Sequence, residues 1–316
     1  YNAINELANT FLYAGNLDQA TRLSAQNIAY QIKQSSKIGL GYAYQLQGAI
    51  LLKQQHPKAI GFLQKALALM KEQASKDIGN TYYHVASAFA AFNRYDSAIV
   101  YQRLALQHSV VKTPDRKAYL TTKLAKYLVL SGHSDEALPF LNQAKVLQKS
   151  LLTEAYWCHA FALYLHQTSQ SKYSTDAFMR CEGLIDDLLK DAHDIVTRKT
   201  LAEQAQEMYK DILALSRFPL LLRERYRGKL KTTEVRLASY TRELKLKDRL
   251  YLQQFAGSSS VQKGGDSSLF WVWCLLAGLL FLVGLDRYYH HGLSLMFSPS
   301  PATLAPGAAA PVVVPE

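Results

Sequence analysis

Five side chains that could ligate a metal crowd the stretch "DDLLKDAHD" at residues 186–194: Asp186, Asp187, Asp191, His193 and Asp194. Asp187 and Asp191 stand one helical turn apart, a spacing at which two carboxylates can share a hard cation. Lys190 interleaves them, and the pattern reads instead as a solvated helical face. Cys158, Cys181 and Cys274 show no paired metal-ligand spacing and no disulfide framework. Cys158 and Cys181 could meet across one helical hairpin; otherwise they are two small residues in tight packing. His159 and His166 share one helical stretch and read as packed or exposed rather than catalytic, and His290 and His291 read as interfacial. "GLG" at 39–41 lacks a third glycine and a preceding strand, so it reads as a turn. There is no phosphate-binding loop, no HExxH and no serine-centred elbow. The chain therefore reads as a non-enzyme, with no catalytic residue, metal or cofactor assigned.

Half of the 316 residues are apolar, enough for a sizeable core. Five of the nine prolines crowd the end (Pro299, Pro301, Pro306, Pro311, Pro315), and before them Ala, Leu, Gln and Lys dominate, so the rest reads as mostly helical. The net charge of +11 is uneven: residues 217–249 hold eleven basic side chains against four acidic ones. Such a face suits nucleic acid, acidic lipid or an acidic partner, or is simply solvated. The solvated reading is adopted, with no direct nucleic-acid binding. The chain opens at Tyr1, without Met and already in a helical pattern, which reads as a mature or excised portion.

A period of 39 residues organises the first half. Ala20, Ala59, Ala98 and Ala137 recur at that interval, followed four residues later by Ser24, Leu63, Gln102 and Leu141, and seven later by Asn27, Ala66, Ala105 and Ala144. This is the small or apolar stripe of an amphipathic helix. Upstream, a second helix repeats as Leu7, Ala8, Phe11 and Gly15; as Val85, Ala86, Phe89 and Asn93; and as Leu124, Ala125, Leu128 and Gly132. The second unit fits with Gly48 as its small residue if its turn is one residue shorter. Each unit is thus helix, short turn at Gly or Asn, helix. A fifth unit, with Ala177 one residue past the phase position, and a sixth, degenerate one over "RKTLAEQAQEMYKDILALSRF" follow.

These positions resemble the tetratricopeptide repeat family in Leu7-Ala8-Phe11-Gly15-Ala20, Val85-Ala86-Phe89-Ala98-Ala105 and Leu124-Ala125-Gly132-Ala137-Ala144. Tyr82 takes the tryptophan-like position of the third unit, and the closing proline is missing. The family's unit is about 34 residues, and the extra residues are placed in longer second helices and inter-repeat turns. The resemblance implies an all-α, right-handed α-solenoid of about five to six hairpins over residues 1–215. It also implies that the first helix of each unit lines a concave groove. The family positions map to Asn5, Asn9, Tyr13, Gln45, Lys53, Tyr83, Ser87, Thr122 and Lys126. Their amides, hydroxyls and two lysines suit a peptide or protein partner held by its backbone and carboxylates.

Residues 219–255 read as one long basic helix. Tyr226, Leu230, Thr233, Leu237, Tyr240, Leu244, Lys247 and Tyr251 alternate steps of four and three, a seam that suits a homodimer through 226–251. The alternative is a helix lying back on the last repeat. Residues 256–268 read as a flexible linker. Residues 269–285, "LFWVWCLLAGLLFLVGL", are seventeen uncharged residues, roughly 25 Å as a helix. With Trp271 and Trp273 at one end and Tyr288 and Tyr289 past the other, they read as a transmembrane helix. Residues 286–316 read as a disordered Pro/Ala-rich tail, the stump of a longer protein.

The order of parts, with "RELKLKDRLYLQQ" shortly before the span, resembles the membrane-anchored tetratricopeptide sensors of Bacteroidota. That resemblance implies a single-pass bacterial inner-membrane protein with its repeats outside the cytoplasm, serving as the input part of a signalling or transcription-regulating protein. The alternatives are a static membrane scaffold, or the input half of a histidine kinase whose catalytic domain is absent from this chain.

Overall fold

A computed structural model describes residues 2–108 and 113–260. Among these residues are twelve α-helices and no strand. They pair as hairpins: α1 (Asn2–Ala14) with α2 (Leu17–Lys33), α3 (Lys37–Lys53) with α4 (Lys58–Glu72), and α5 (Ile78–Ala91) with α6 (Tyr95–His108). Next come α7 (Pro114–Leu130) with α8 (Ser134–Leu147), and α9 (Leu151–Gln167) with α10 (Ser171–Asp191). Each hairpin packs on the next, and first helices also touch (α1 on α3, α3 on α5, α7 on α9). This is the stacking of a solenoid.

Local chemistry sets the helix ends. Ser36, Thr113, Ser150 and Asp194 each accept a backbone N–H three residues on, capping α3, α7, α9 and α11 (Ile195–Ala214). Asp115, almost fully buried, accepts from the N–H groups of Lys149 (2.6 Å) and Ser150 (3.1 Å) and from the Thr153 hydroxyl (2.8 Å). It ties one unit to the start of the next. First helices end in a left-handed residue: Gly15, Gln55, Asn93, Gly132 and Ser169. The following N–H reaches back, as in Asn16 to the Phe11 carbonyl and His133 to the Leu128 carbonyl. Gln55 and Ser169 supply this turn without being the Gly or Asn expected there.

The periodic alanines are packing positions. Ala20, Ala59, Ala98 and Ala137 are fully buried, as are Ser24, Leu63, Gln102 and Leu141, and Asn27, Ala66, Ala105 and Ala144. Two of the three polar members are accommodated by bonds, while the buried Ser24 hydroxyl has none among the described residues. Asn27 donates to Asn5 Oδ1 (3.2 Å) and accepts from Gln31 (3.0 Å), and Gln102 donates to the Leu120 carbonyl (2.8 Å). In the fifth unit the phase residue is Ser174, not Ala177: Ser174, Phe178 and Cys181 are fully buried at the same spacing, and Ser174 Oγ donates to the Ala162 carbonyl. Cys158 and Cys181 are buried free thiols.

"GLG" is not a turn. Gly39 and Gly41 lie within α3, and each faces a neighbouring helix. Gly48 is another close approach of this kind, because a Cβ there would stand 2.5 Å from Leu63 Cγ. Gly48→Val is expected to destabilise the chain by about 2–3 kcal/mol through overpacking. An unchanged thermal melt would show that α3 and α4 can part without cost. First helices are lengthened as much as second ones: α3, α7 and α9 match α2 at 17 residues.

The last two helices depart from the stack. α11 packs chiefly on α12 (Leu220–Ser260), and α12 reaches back to α1. The expected seam is used within the chain. Tyr226, Thr233 and Leu244 are buried, Leu230, Leu237 and Tyr240 are half-buried, and Tyr226 stacks obliquely on Tyr209 of α11. The stripe offered for a second copy is thus already covered over 226–244. At one end Glu182 of α10, buried, pairs with Arg225 (3.0 Å) and Lys229. At the other end Thr241 lies against Gly15 and Asp248 meets Asn16. Gly15 therefore has two reasons to be glycine, a φ of 81° and a tight approach in which a Cβ would stand 3.2 Å from Thr241 Cγ2. α12 continues to Ser260, five residues into the stretch read as a linker. No described helix is long and apolar enough to cross a membrane, and residues 269–285 lie outside the described residues.

Candidate partner-binding surface

Successive first helices present a ladder of aromatic and basic side chains. Tyr83 and Tyr119 share a hydroxyl contact of 2.9 Å, and Tyr119 meets Tyr156 edge-on with ring centres 4.8 Å apart. Cations alternate with the rings. The Arg116 guanidinium lies 5.0 Å from the Tyr83 ring and 5.5 Å from that of Tyr119, and Lys123 lies 5.9 Å from Tyr119 and 5.7 Å from Tyr156. The three tyrosines recur at intervals of 36 and 37 residues, close to the repeat period. That signal was present in the sequence beside the one that located Tyr83.

α11 lies across this face. Glu203, Glu207 and Asp211, one turn apart in succession, each meet a cation of the repeats. Glu203 pairs with Lys53 of α3 at 2.9 Å, and Glu207 with Lys126 of α7 at 2.6 Å and Lys123 at 3.5 Å. Asp211 pairs with Lys126 at 2.7 Å and lies 3.0 Å from His159 Nε2 of α9. Lys199 bonds the Tyr13 carbonyl at the end of α1 (3.1 Å) and Glu203 (2.9 Å). The Lys126 ammonium is held in a side chain only 7% exposed.

The electrostatics follow from this pairing. Burial alone would raise the Glu207 carboxyl, but Lys123 and Lys126 hold it well below its ordinary range. Burial also opposes ionisation of Asp211, and Lys126 and His159 bring it down to about 2. For Lys123 and Lys126, burial is likewise outweighed by Glu207, so both stay charged. His159 is pushed down, first by burial and then by Lys126. His84 is pushed down to about 4 by burial and Arg116.

The sign of the pH dependence is fixed by these directions. The depressed carboxylates contribute fully above the unfolded range near ~4 and lose that contribution toward about 2. The depressed histidines refuse a proton that the unfolded chain accepts below ~6.5, so their contribution also fades in acid. The urea midpoint is expected to fall steadily as pH drops from ~6.5. A midpoint that rises between pH ~6.5 and ~5 would contradict the arrangement, and His159→Gln should flatten the upper part of the decline.

The expected groove residues have unequal surroundings. Asn5 is engaged by Asn27 inside the first hairpin, and Gln45 accepts from Thr81 Oγ1 at 2.7 Å. Thr122 is buried, and Ser87 bonds the Tyr127 hydroxyl. Lys53 and Lys126 both hold carboxylates of α11. Tyr83 joins the aromatic ladder, Asn9 is half-buried, and Tyr13 is 57% exposed. The structure thus brings Lys53, Lys126 and Tyr83 to one face and adds Arg116, Tyr119, Lys123, Tyr156 and His159. The acidic cluster at 186–194 is dispersed: Asp187 pairs with Lys190, Asp186 approaches Lys229, and Asp194 caps α11.

Comparison with known proteins bears on the scaffold. No protein-family profile matches the chain. No curated protein matches it either. Among solved structures, the nearly identical TPR-like repeats of a Podosopora anserina protein described as a kinesin light chain match with a TM-score of 0.50 at 15% identity, over 61% of this chain and 97% of that one. A single-substitution form of those repeats matches with a TM-score of 0.51 at 14% identity, over 60% and 96%. The fold is tetratricopeptide-like. At this identity the likeness bears on the fold alone. The stacked hairpins account for the ladder, because they set equivalent first-helix residues side by side.

Proposed function

We propose that this chain is a protein–protein interaction module that takes a partner segment on the concave face, with no catalytic role. The observation that carries this reading is the ladder of Tyr83, Arg116, Tyr119, Lys123 and Tyr156, which offers aromatic faces and cations at the repeat spacing. Tyr and Arg are the side chains from which binding hot spots are built. Asn9 and Tyr13 contribute polar contacts around it. Residues 269–285 anchor the module in a membrane as a single pass, with the repeats outside the cytoplasm as the input part of a bacterial signalling or regulatory protein. The uninterrupted apolar composition of that stretch supports the anchor.

Site-directed photo-cross-linking in cells tests the reading. A photoreactive residue replacing Tyr13 or Tyr83 is expected to give a discrete adduct, and one at Gln64, exposed on α4, is not. Equal adducts at all three positions, or none, would remove the concave face as the binding surface. The anchor is tested separately by alkaline carbonate extraction. The full chain is expected to stay with the membrane pellet, and a chain ending at residue 260 is expected to leave it.

A further inference from the structure

The reading of α11 as a sixth repeat accounts for its apolar side, where Ala205, Met208, Tyr209 and Ile212 join the core. It does not account for its other side. A regular sixth first helix would pack on α9 as α9 packs on α7; α11 instead engages α12, and its carboxylates reach α3 and α7. Its Lys199 reaches as far as α1. The receiving face supplies Lys53, Lys123 and Lys126, with His159 at the last step. Charge complementarity is therefore specific in spacing: one carboxylate per helical turn, three turns in succession.

We infer that the concave face is a receptor for an acidic helix bearing carboxylates at four-residue spacing, and that α11 is its resident occupant, which a partner helix of the same pattern displaces. This deepens the proposed function and rests on it. Two features let α11 leave while the stack remains. It is tied to the concave face mainly through side-chain ion pairs, two of whose carboxylates are partly exposed, Glu203 at 33% and Glu207 at 45%. It also lies at the end of the array, so its departure removes no packing between α1 and α8. A competing helix replaces ion pairs with like ion pairs, and the main cost of the exchange is the burial of Ala205, Met208, Tyr209 and Ile212, which the competitor's own apolar side must offset.

The test uses the full chain and a synthetic, labelled peptide of residues 195–214 as the acidic peptide, named for its stripe of Glu203, Glu207 and Asp211, since Arg198, Lys199 and Lys210 bring its net side-chain charge to zero. The loosened variant is Glu203→Gln with Glu207→Gln, which leaves Asp211 on Lys126 and His159. The peptide is expected to bind this variant at least tenfold more tightly than the unaltered chain. A neutral peptide without the stripe, in which Glu203→Gln, Glu207→Gln and Asp211→Asn are balanced by Arg198→Gln, Lys199→Gln and Lys210→Gln so that the net charge stays zero, is expected to bind neither. Hydrogen exchange on the unaltered chain supplies a readout that needs no variant. Amides of α11 and α12 are expected to exchange well before those of α5–α8, and faster still when the acidic peptide is added. Equal binding of the acidic and neutral peptides overturns the inference. So does an α11 that exchanges only with the whole array. If the acidic peptide fails to bind while the Tyr83 adduct still forms, partner binding stands and the acidic-helix receptor falls.

Discussion

Ala137→Arg is expected to lower the stability of the repeat array by about 4 kcal/mol or more, the scale of burying an unpaired charge. Ala137 is fully buried in α8, within the core cluster that includes Leu124, Leu128 and Leu141. A guanidinium there would be pressed among apolar side chains. Ala98→Arg, at the same phase in the third unit and equally buried, should cost a similar amount. Gln64→Arg on the exposed side of α4 should change stability by no more than ~0.5 kcal/mol. Urea denaturation followed by far-ultraviolet circular dichroism makes the comparison. Similar midpoints for all three variants would mean that the alanines do not lie between helices.

The second large effect concerns the buried ammonium of Lys126. Glu207→Gln together with Asp211→Asn leaves that charge in place without a carboxylate, and is expected to cost about 3 kcal/mol. Lys126→Met removes the charge and keeps the apolar stem. It is expected to cost less, about 1–2 kcal/mol, because Glu207 is 45% exposed and retains Lys123 at 3.5 Å, while Asp211 keeps His159 at 3.0 Å. The asymmetry is the point: stranding a buried cation is worse than deleting it. Urea midpoints in the reverse order would show that Lys126 is solvated in the folded chain and that α11 does not cover it.

Much of this molecule is legible in the linear chain, and the reason is periodicity. A small residue every 39 positions, with partners four and seven further on, can satisfy only one kind of packing: two helices in close contact, repeated. Ala20, Ala59, Ala98 and Ala137 therefore announce the hairpins, and Gly15 and Gly132 announce their turns. The period loses its hold where the contacts change. Ser174 could not be told from Ala177 by type alone, because a serine is tolerated at a buried phase position only once its hydroxyl finds the Ala162 carbonyl. Gly39 and Gly41 resemble a loop until α2 and α4 are seen to press on them.

The partner-binding face divides in the same way. The tetratricopeptide resemblance placed Lys53, Tyr83 and Lys126 on first helices, since equivalent positions in a stack face the same way. The long seam from Tyr226 to Leu244 was equally evident, but a seam states only that a helix must be covered, not by what. Its covering by α11, and the meeting of Glu207 and Asp211 with Lys126 some eighty residues earlier, depend on the path of the chain after Asp191. That path is set by long-range packing, in which Tyr209, Phe218 and Tyr226 join a core begun by α7–α10. Local propensity is nearly silent there, because a helix forms equally well on either path. Whether α11 extends the array or folds onto its concave side is decided only by which surface buries the apolar stripe and pairs the charges at once.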